Sequence, residues 1–114
     1  MTPAITLLKK KRIAHTILKY HHDCNAPSYG LEAADKLSLN PSTVFKTLVV
    51  SDETNKLAVA LVPVNTTLSE KKLAKVLGVK KITMAPSDTV VASTGYLLGG
   101  VSPLGQKKRL ATVL

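Results

Sequence analysis

Cysteine, aromatic residues, acidic residues and long apolar runs are all scarce in this chain of 114 residues. Its one cysteine, Cys24, has no partner for an internal disulfide and cannot anchor a cysteine-rich zinc site. A reducing cytoplasm is the compartment that fits such usage. No apolar run reaches the roughly 18 residues of a membrane helix, and no amphipathic basic helix carries the bulky aromatics of a membrane-surface protein, so charge aside no membrane partner is expected. The opening Met1-Thr2-Pro3-Ala4 lacks a basic stretch followed by a long apolar one, and no signal peptide is expected. Tryptophan is absent, and Tyr20, Tyr29, Phe45 and Tyr96 are too few for a base-stacking platform. What is present is ordinary for a globular protein. Hydrophobic residues make up 45% and charged residues 20%, in a length that forms one domain, residues 1–114.

Acidic residues are outnumbered by basic ones, 7 against 16, for a net charge of +9. The charge is segregated. Lys9, Lys10, Lys11, Arg12 and Lys19 face no acid in the first 20 residues. Asp23, Glu32, Asp35, Asp52 and Glu53 dominate residues 21–55, and basic groups dominate again from Lys56 onward. A surface of this kind concentrates polyanions, and RNA, DNA and acidic membranes all qualify. It equally fits a soluble basic protein with no such partner.

Thr2-Pro3 reads as an N-cap and first helical position, opening a helix to about Ala14. His15 to Tyr20 has the composition of a short strand, and Glu32 to Leu37 that of a short helix. Asn40-Pro41 begins a turn. Phe45–Ser51 and Leu57–Pro63 read as a hairpin, the second strand apolar on both faces and therefore covered on both sides. Thr67-x-x-Glu70 has the form of a capping box before a helix that ends at Gly78. A short strand over Lys81–Met84, a helix from Pro86, a Gly-rich loop over 95–105 and a strand over Arg109–Leu114 complete a mixed α+β domain with a mostly antiparallel sheet.

The usual catalytic motifs are absent: there is no G-x-S-x-G elbow and no P-loop. His21-His22-Asp23-Cys24 holds ligand-type residues, but neighbours on an extended segment point in opposite directions, and a polar surface loop is the favoured reading. No metal site is expected. Lys46 is more informative. Alternation along the strand puts Phe45, Thr47 and Val49 on one face and Lys46, Leu48 and Val50 on the other. A lysine on an apolar face needs a partner or a ligand, unless its stem crosses the sheet and its ammonium reaches water. A partly desolvated ammonium suits a carbonyl oxygen or a phosphate. The second feature is the run from Ser93 to Gly105, which holds four of the six glycines together with Leu97, Leu98, Val101 and Leu104. A plain linker would be polar; this composition fits a folded loop around a pocket. Gln106-Lys107-Lys108-Arg109 follows, either a solvated strand face or cations beside the loop.

Phe45-Lys46-Thr47-Leu48-Val49-Val50, Ser93-Thr94-Gly95-Tyr96 and Gly99-Gly100-Val101-Ser102-Pro103-Leu104-Gly105-Gln106-Lys107-Lys108-Arg109 resemble the YbaK/EbsC branch of the YbaK/ProX aminoacyl-tRNA deacylases. Met1-Thr2-Pro3-Ala4 and Tyr20-His21-His22-Asp23 match as well, so the resemblance spans the chain. It implies a mostly antiparallel sheet, closed in part into a barrel and flanked by short helices, as in the editing domain of prolyl-tRNA synthetases. It implies trans-editing of Cys-tRNA(Pro), with Cys-tRNA(Cys) as the further candidate, beside that synthetase and without a cofactor. Lys46 takes the place of the family's key lysine. Tyr20, Phe45, Thr47, Gly99, Gly100, Ser102, Pro103 and Gly105 fall on pocket positions, and Lys107, Lys108 and Arg109 are candidates for tRNA contact. The chemistry the family implies needs no protein nucleophile: the cysteine's own thiol attacks its ester while the protein folds the substrate and stabilises charge. Loop amides near Gly100 are expected to hold the aminoacyl group or terminal ribose.

Family members continue past the position of Leu114, with further pocket residues, so a shortened C-terminus and lowered activity are expected here. The apolar strand at that end is expected to pair with a second copy, as a homodimer or in aggregates. The alternative function is a non-catalytic basic module that binds tRNA or the synthetase.

Overall fold

Most of the local signals are realised where they stand in a computed structural model, which describes residues 2–23, 29–97 and 100–114. The Thr2 hydroxyl accepts the Ile5 amide at 3.3 Å and caps α1 (Pro3–Lys10). That helix stops short of Ala14. Arg12 turns left-handed (φ 56°), its amide donates to the Lys9 carbonyl, and the Ile13 amide returns to that of Leu8. These bonds satisfy the last-turn carbonyls. The strand expected over His15–Tyr20 is absent, and residues 13–23 carry no regular structure. β-Branched composition stabilises a strand through its cross-strand neighbours, and among the described residues no strand pairs with this segment. Ile13, Ile17 and Leu18 accordingly stay exposed.

After α2 (Tyr29–Lys36) and a single 3-10 turn (Pro41–Thr43) the chain enters the sheet. β1 (Phe45–Asp52) and β2 (Leu57–Pro63) form the expected hairpin, from Phe45 opposite Pro63 to Ser51 opposite Leu57. The Asp52 carboxylate makes its turn by accepting from the Thr54 amide, the Thr54 hydroxyl and the Lys56 amide. α3 (Glu70–Leu77) is capped by Ser69, whose hydroxyl accepts the Lys72 amide. Thr67 of the expected capping box therefore lies outside the helix. Glu70 falls in the first turn, where its charge complements the helix dipole. Gly78 ends α3 at φ 71°. β3 (Ile82–Met84), α4 (Ser87–Thr94) and β4 (Ala111–Val113) complete the chain. β3 pairs antiparallel with β1 and β4 parallel with β2, giving the order β3-β1-β2-β4.

The sheet is mostly antiparallel but open. The expected partial barrel is not formed among the described residues, because its outer strands are three residues long and lie at opposite edges. Both faces are covered. On one, Val50, Ala58 and Ala60 pack with Ile82 and with Leu73 and Ala74 of α3. On the other, Val49 and Val59 pack with Ala85 and with Val90 of α4, and Val101 and Leu110 lie against them. Double burial is why β2 reads as an unbroken apolar run. Val50 and Val59 are fully buried, and each contributes about 1.5–3 kcal/mol.

Candidate functional site

Lys46 is the second residue of β1 and sits opposite Val62. The unbroken register assigns it to the α3 face, in line with Leu48 and Val50 and across from Ala60 and Ala58. It is half-buried, and among the described residues its ammonium has no hydrogen-bond or ion-pair partner. A lone ammonium among aliphatic groups is the arrangement in which an added anion or carbonyl gains most. Thr47, opposite Leu61, belongs to the α4 face. Phe45 begins the strand opposite Pro63 and is half exposed. Tyr20 is half-buried in the irregular segment.

The described residues of the Gly-rich loop form a folded unit. At the end of α4 the Thr94 hydroxyl donates to the Val90 carbonyl and accepts the Tyr96 amide. Tyr96 is buried, and its hydroxyl donates to the Leu104 carbonyl at 2.6 Å, tying the two limbs together. The amides of Lys107 and Lys108 return to the carbonyls of Thr94 and Ser93. The Ser102 hydroxyl accepts the Leu104 amide, and the Gln106 side chain donates to the Ser102 carbonyl. Gly105 is left-handed (φ 68°), and a Cβ there would stand 2.7 Å from the Pro3 carbonyl oxygen, so the loop abuts the start of α1.

This geometry changes two expectations. The Gly100 amide already donates to the Leu97 carbonyl at 3.0 Å and is not a free donor for a substrate. Ser102 offers one instead: its hydroxyl accepts from Leu104 and keeps its own proton. The loop also packs on the α4 face through Val101, whereas Lys46 belongs to the α3 face. The structure thus groups Thr47 with the loop on one face and sets Lys46 on the other. Pro103 is exposed at the loop surface, as are Lys107, Lys108 and Arg109 where the loop returns. Gly99 and Cys24 lie outside the described residues.

Sequence reasoning passed over Glu32. Its carboxylate, buried on α2, lies 2.6 Å from His22 Nδ1, accepts the Asp23 amide at 2.6 Å and sits 3.3 Å from Lys36 Nζ. Lys36 also donates to the His21 carbonyl, and the His22 ring stacks on Tyr29 at 4.9 Å. Burial pushes the Glu32 carboxyl up, but hydrogen bonds from Asp23, His22 and Lys36 outweigh it and bring it down to about 2. The cluster clamps residues 21–23 to α2. Its one visible signal was the Glu32–Lys36 spacing of four along a helix; the partners ten residues upstream left none. Among the described residues no group of three or more ligating side chains could hold a metal ion, and no helix is long and apolar enough to cross a membrane.

The family pattern described as an aminoacyl-tRNA editing domain matches residues 25–114. A protein of Enterococcus faecalis named as a Cys-tRNA(Pro)/Cys-tRNA(Cys) deacylase, EbsC, is 42% identical over 81 residues, which cover 71% of this chain and 49% of that protein. A proline–tRNA ligase of Trichlorobacter lovleyi is 38% identical over 82 residues, covering 72% of this chain and 14% of the ligase. The chain therefore spans about half the length of the first relative and a small part of the second. A solved structure described as a trans-editing enzyme for prolyl-tRNA synthetase superposes with a TM-score of 0.78 at 23% identity, covering 96% of this chain and 68% of that one. At that identity the likeness is one of fold.

Proposed function

Because the chain belongs to the aminoacyl-tRNA editing domain family, we propose that it is a trans-acting deacylase that clears Cys-tRNA(Pro), and Cys-tRNA(Cys) as a further substrate. The observation that carries this reading is Lys46, half-buried and unpaired among the described residues on an apolar strand face. In the proposed step the substrate's thiol sulfur attacks the carbonyl carbon of its own ester. The C–S bond forms as the C–O bond to ribose breaks, and the thiol proton passes to the leaving ribose oxygen. Free tRNA and a cyclic thiolactone result, without water, as in a lyase. Lys46 supplies positive charge to the carbonyl oxygen as it becomes anionic. Tyr20, Phe45, Thr47 and Ser102, with the loop glycines Gly99, Gly100 and Gly105 and with Pro103, are the proposed pocket groups. Phe45 and Lys46 open β1, so the end of the sheet is where groups from both faces can surround one substrate.

The reading places the protein in the cytoplasm beside prolyl-tRNA synthetase. A homodimer would pair along the outer edge of β4, whose inner edge is taken by β2. The test is deacylation of Cys-tRNA(Pro) and Ala-tRNA(Pro) by the purified protein and by Lys46→Ala. The cysteinyl ester alone should be lost, with thiolactone detected by mass, and Lys46→Ala should slow the loss by about 10²–10³. Equal loss of both esters would rule out the thiol route. RNA binding without deacylation would leave a basic module that holds tRNA or the synthetase.

A further inference from the structure

We infer that the phosphate backbone of RNA is bound in a cleft between α3 and β3, lined by Lys71, Lys75, Lys80 and Lys81, and not chiefly by the Lys107–Arg109 run. The cleft has a volume of about 510 Å³, and its floor includes Ala74, Val79 and Ile82. Lys71 and Lys75 are four apart on α3 and so share one face of the helix. Lys80 and Lys81 rise from the opposite wall, just before β3. All four are exposed, and among the described residues none has a side-chain ion pair.

The lower wall is fixed by an acid. The Glu53 carboxylate, on the β1–β2 turn, accepts the backbone amides of Lys80 and Lys81 at 3.3 and 3.2 Å. It holds the backbone, and neither ammonium forms an ion pair with it. With Glu70 also in the lining, four lysines face two carboxylates, so a positive surplus remains. A concave, cationic groove with an aliphatic floor suits a convex chain of phosphates. A flat acidic membrane would touch only its rims, and the groove presents no bulky aromatic to insert.

The position matters for the substrate. The cleft adjoins Ile82, which pairs with Asp52 at the far end of β1, and α3 covers the face to which Lys46 belongs. Lys46 and Asp52 are six residues apart in the strand, about 20 Å at strand rise. An RNA whose acylated end reaches Lys46 would pass over α3, which covers this face, and lay its backbone in the cleft. This last step rests on the editing reading; RNA binding in the cleft does not.

The test is titration of uncharged tRNA and of a short RNA duplex against the full chain over a salt series. Lys71→Gln, Lys75→Gln, Lys80→Gln and Lys81→Gln together should lower the log–log salt slope by about 3 to 4, since each lost phosphate contact removes about 0.9. Lys107→Gln, Lys108→Gln and Arg109→Gln together should change it less. The reverse order would overturn the proposal, as would binding to phosphatidylserine vesicles in place of RNA. Uncharged RNA reports binding without deacylation. A protein that binds RNA through these lysines but leaves Cys-tRNA(Pro) intact would overturn the catalytic reading and keep the cleft.

Discussion

The two faces of the central hairpin are held by different forces. Over the α3 face the chain packs aliphatic groups, Val50, Ala58, Ala60, Leu73 and Ile82, and sets its charges at the margin. Over the α4 face a smaller core of Val49, Val59, Ala85 and Val90 is extended by a loop whose shape depends on directed hydrogen bonds. Apolar packing tolerates small shifts in direction, whereas a bond such as that from Tyr96 to Leu104 fixes its partners to tenths of an ångström. The difference assigns roles. The α3 face offers a lone ammonium on a firm sheet, and the α4 face offers a shaped backbone. One strand borders both, because Lys46 and Thr47 are adjacent and belong to opposite faces.

The sharpest way to break this division is to compare those two neighbours. Lys46→Ala should cost about 10²–10³ in deacylation rate, and Thr47→Val should cost clearly less, acting on substrate affinity. A Thr47→Val loss as large as that of Lys46→Ala would move the reacting carbonyl to the α4 face.

A pair of glycines tests how the faces are held. Gly78, at the end of α3, and Gly105, in the loop, share nearly the same left-handed φ, 71° and 68°. A Cβ at Gly78 meets nothing within 4 Å, whereas one at Gly105 runs into the Pro3 backbone. Gly78→Ala should therefore lose only the conformational term, about 1–2 kcal/mol. Gly105→Ala should lose that and a further 1–3 kcal/mol or so from steric overlap. Urea unfolding of the two variants measures the gap, and equal losses would show that the loop does not bear on α1.

Acid gives a milder contrast. The Glu32 carboxyl is held at about 2 against an ordinary 4.5, so its contribution to stability is complete above the ordinary value. That contribution drains away as the pH falls from about 4.5 towards 2. In that window the clamp on residues 21–23 should loosen before the aliphatic α3 face does. Glu32→Gln should flatten the dependence of the urea midpoint on pH there, and an unchanged slope would remove Glu32 from the account.

Elements whose causes are local were legible in the sequence. Thr2-Pro3, the hairpin about Asp52 and the Gly78 stop each depend on a few adjacent residues. His15–Tyr20 has strand-forming residues but, among the described residues, no neighbouring strand, and pairing is a property of the whole sheet. Thr67 and Ser69 are both good caps, and composition cannot rank them. At the candidate site, alternation alone showed that Lys46 stands among apolar groups. It could not show that Val101 would carry the loop onto the other face, or that Glu32 would gather His22 and the Asp23 amide.

The parallel pairing of β4 with β2 has a kinetic consequence. The β1–β2 hairpin closes over a turn of a few residues, but Ala58 meets Ala111 only after more than fifty intervening residues have been ordered. The hairpin can form within microseconds, whereas joining strands so distant must first overcome the entropy of closing a long loop. Leu110 and Val113, one for each core cluster, are therefore late arrivals, and both cores stay unfinished until β4 docks. Shortening Val113 to Ala should hasten unfolding and leave the folding rate nearly untouched, which stopped-flow traces on both limbs would read directly. On a ribosome the domain would wait as a hairpin with α3 beside it, unsealed on two sides, until these few residues emerged.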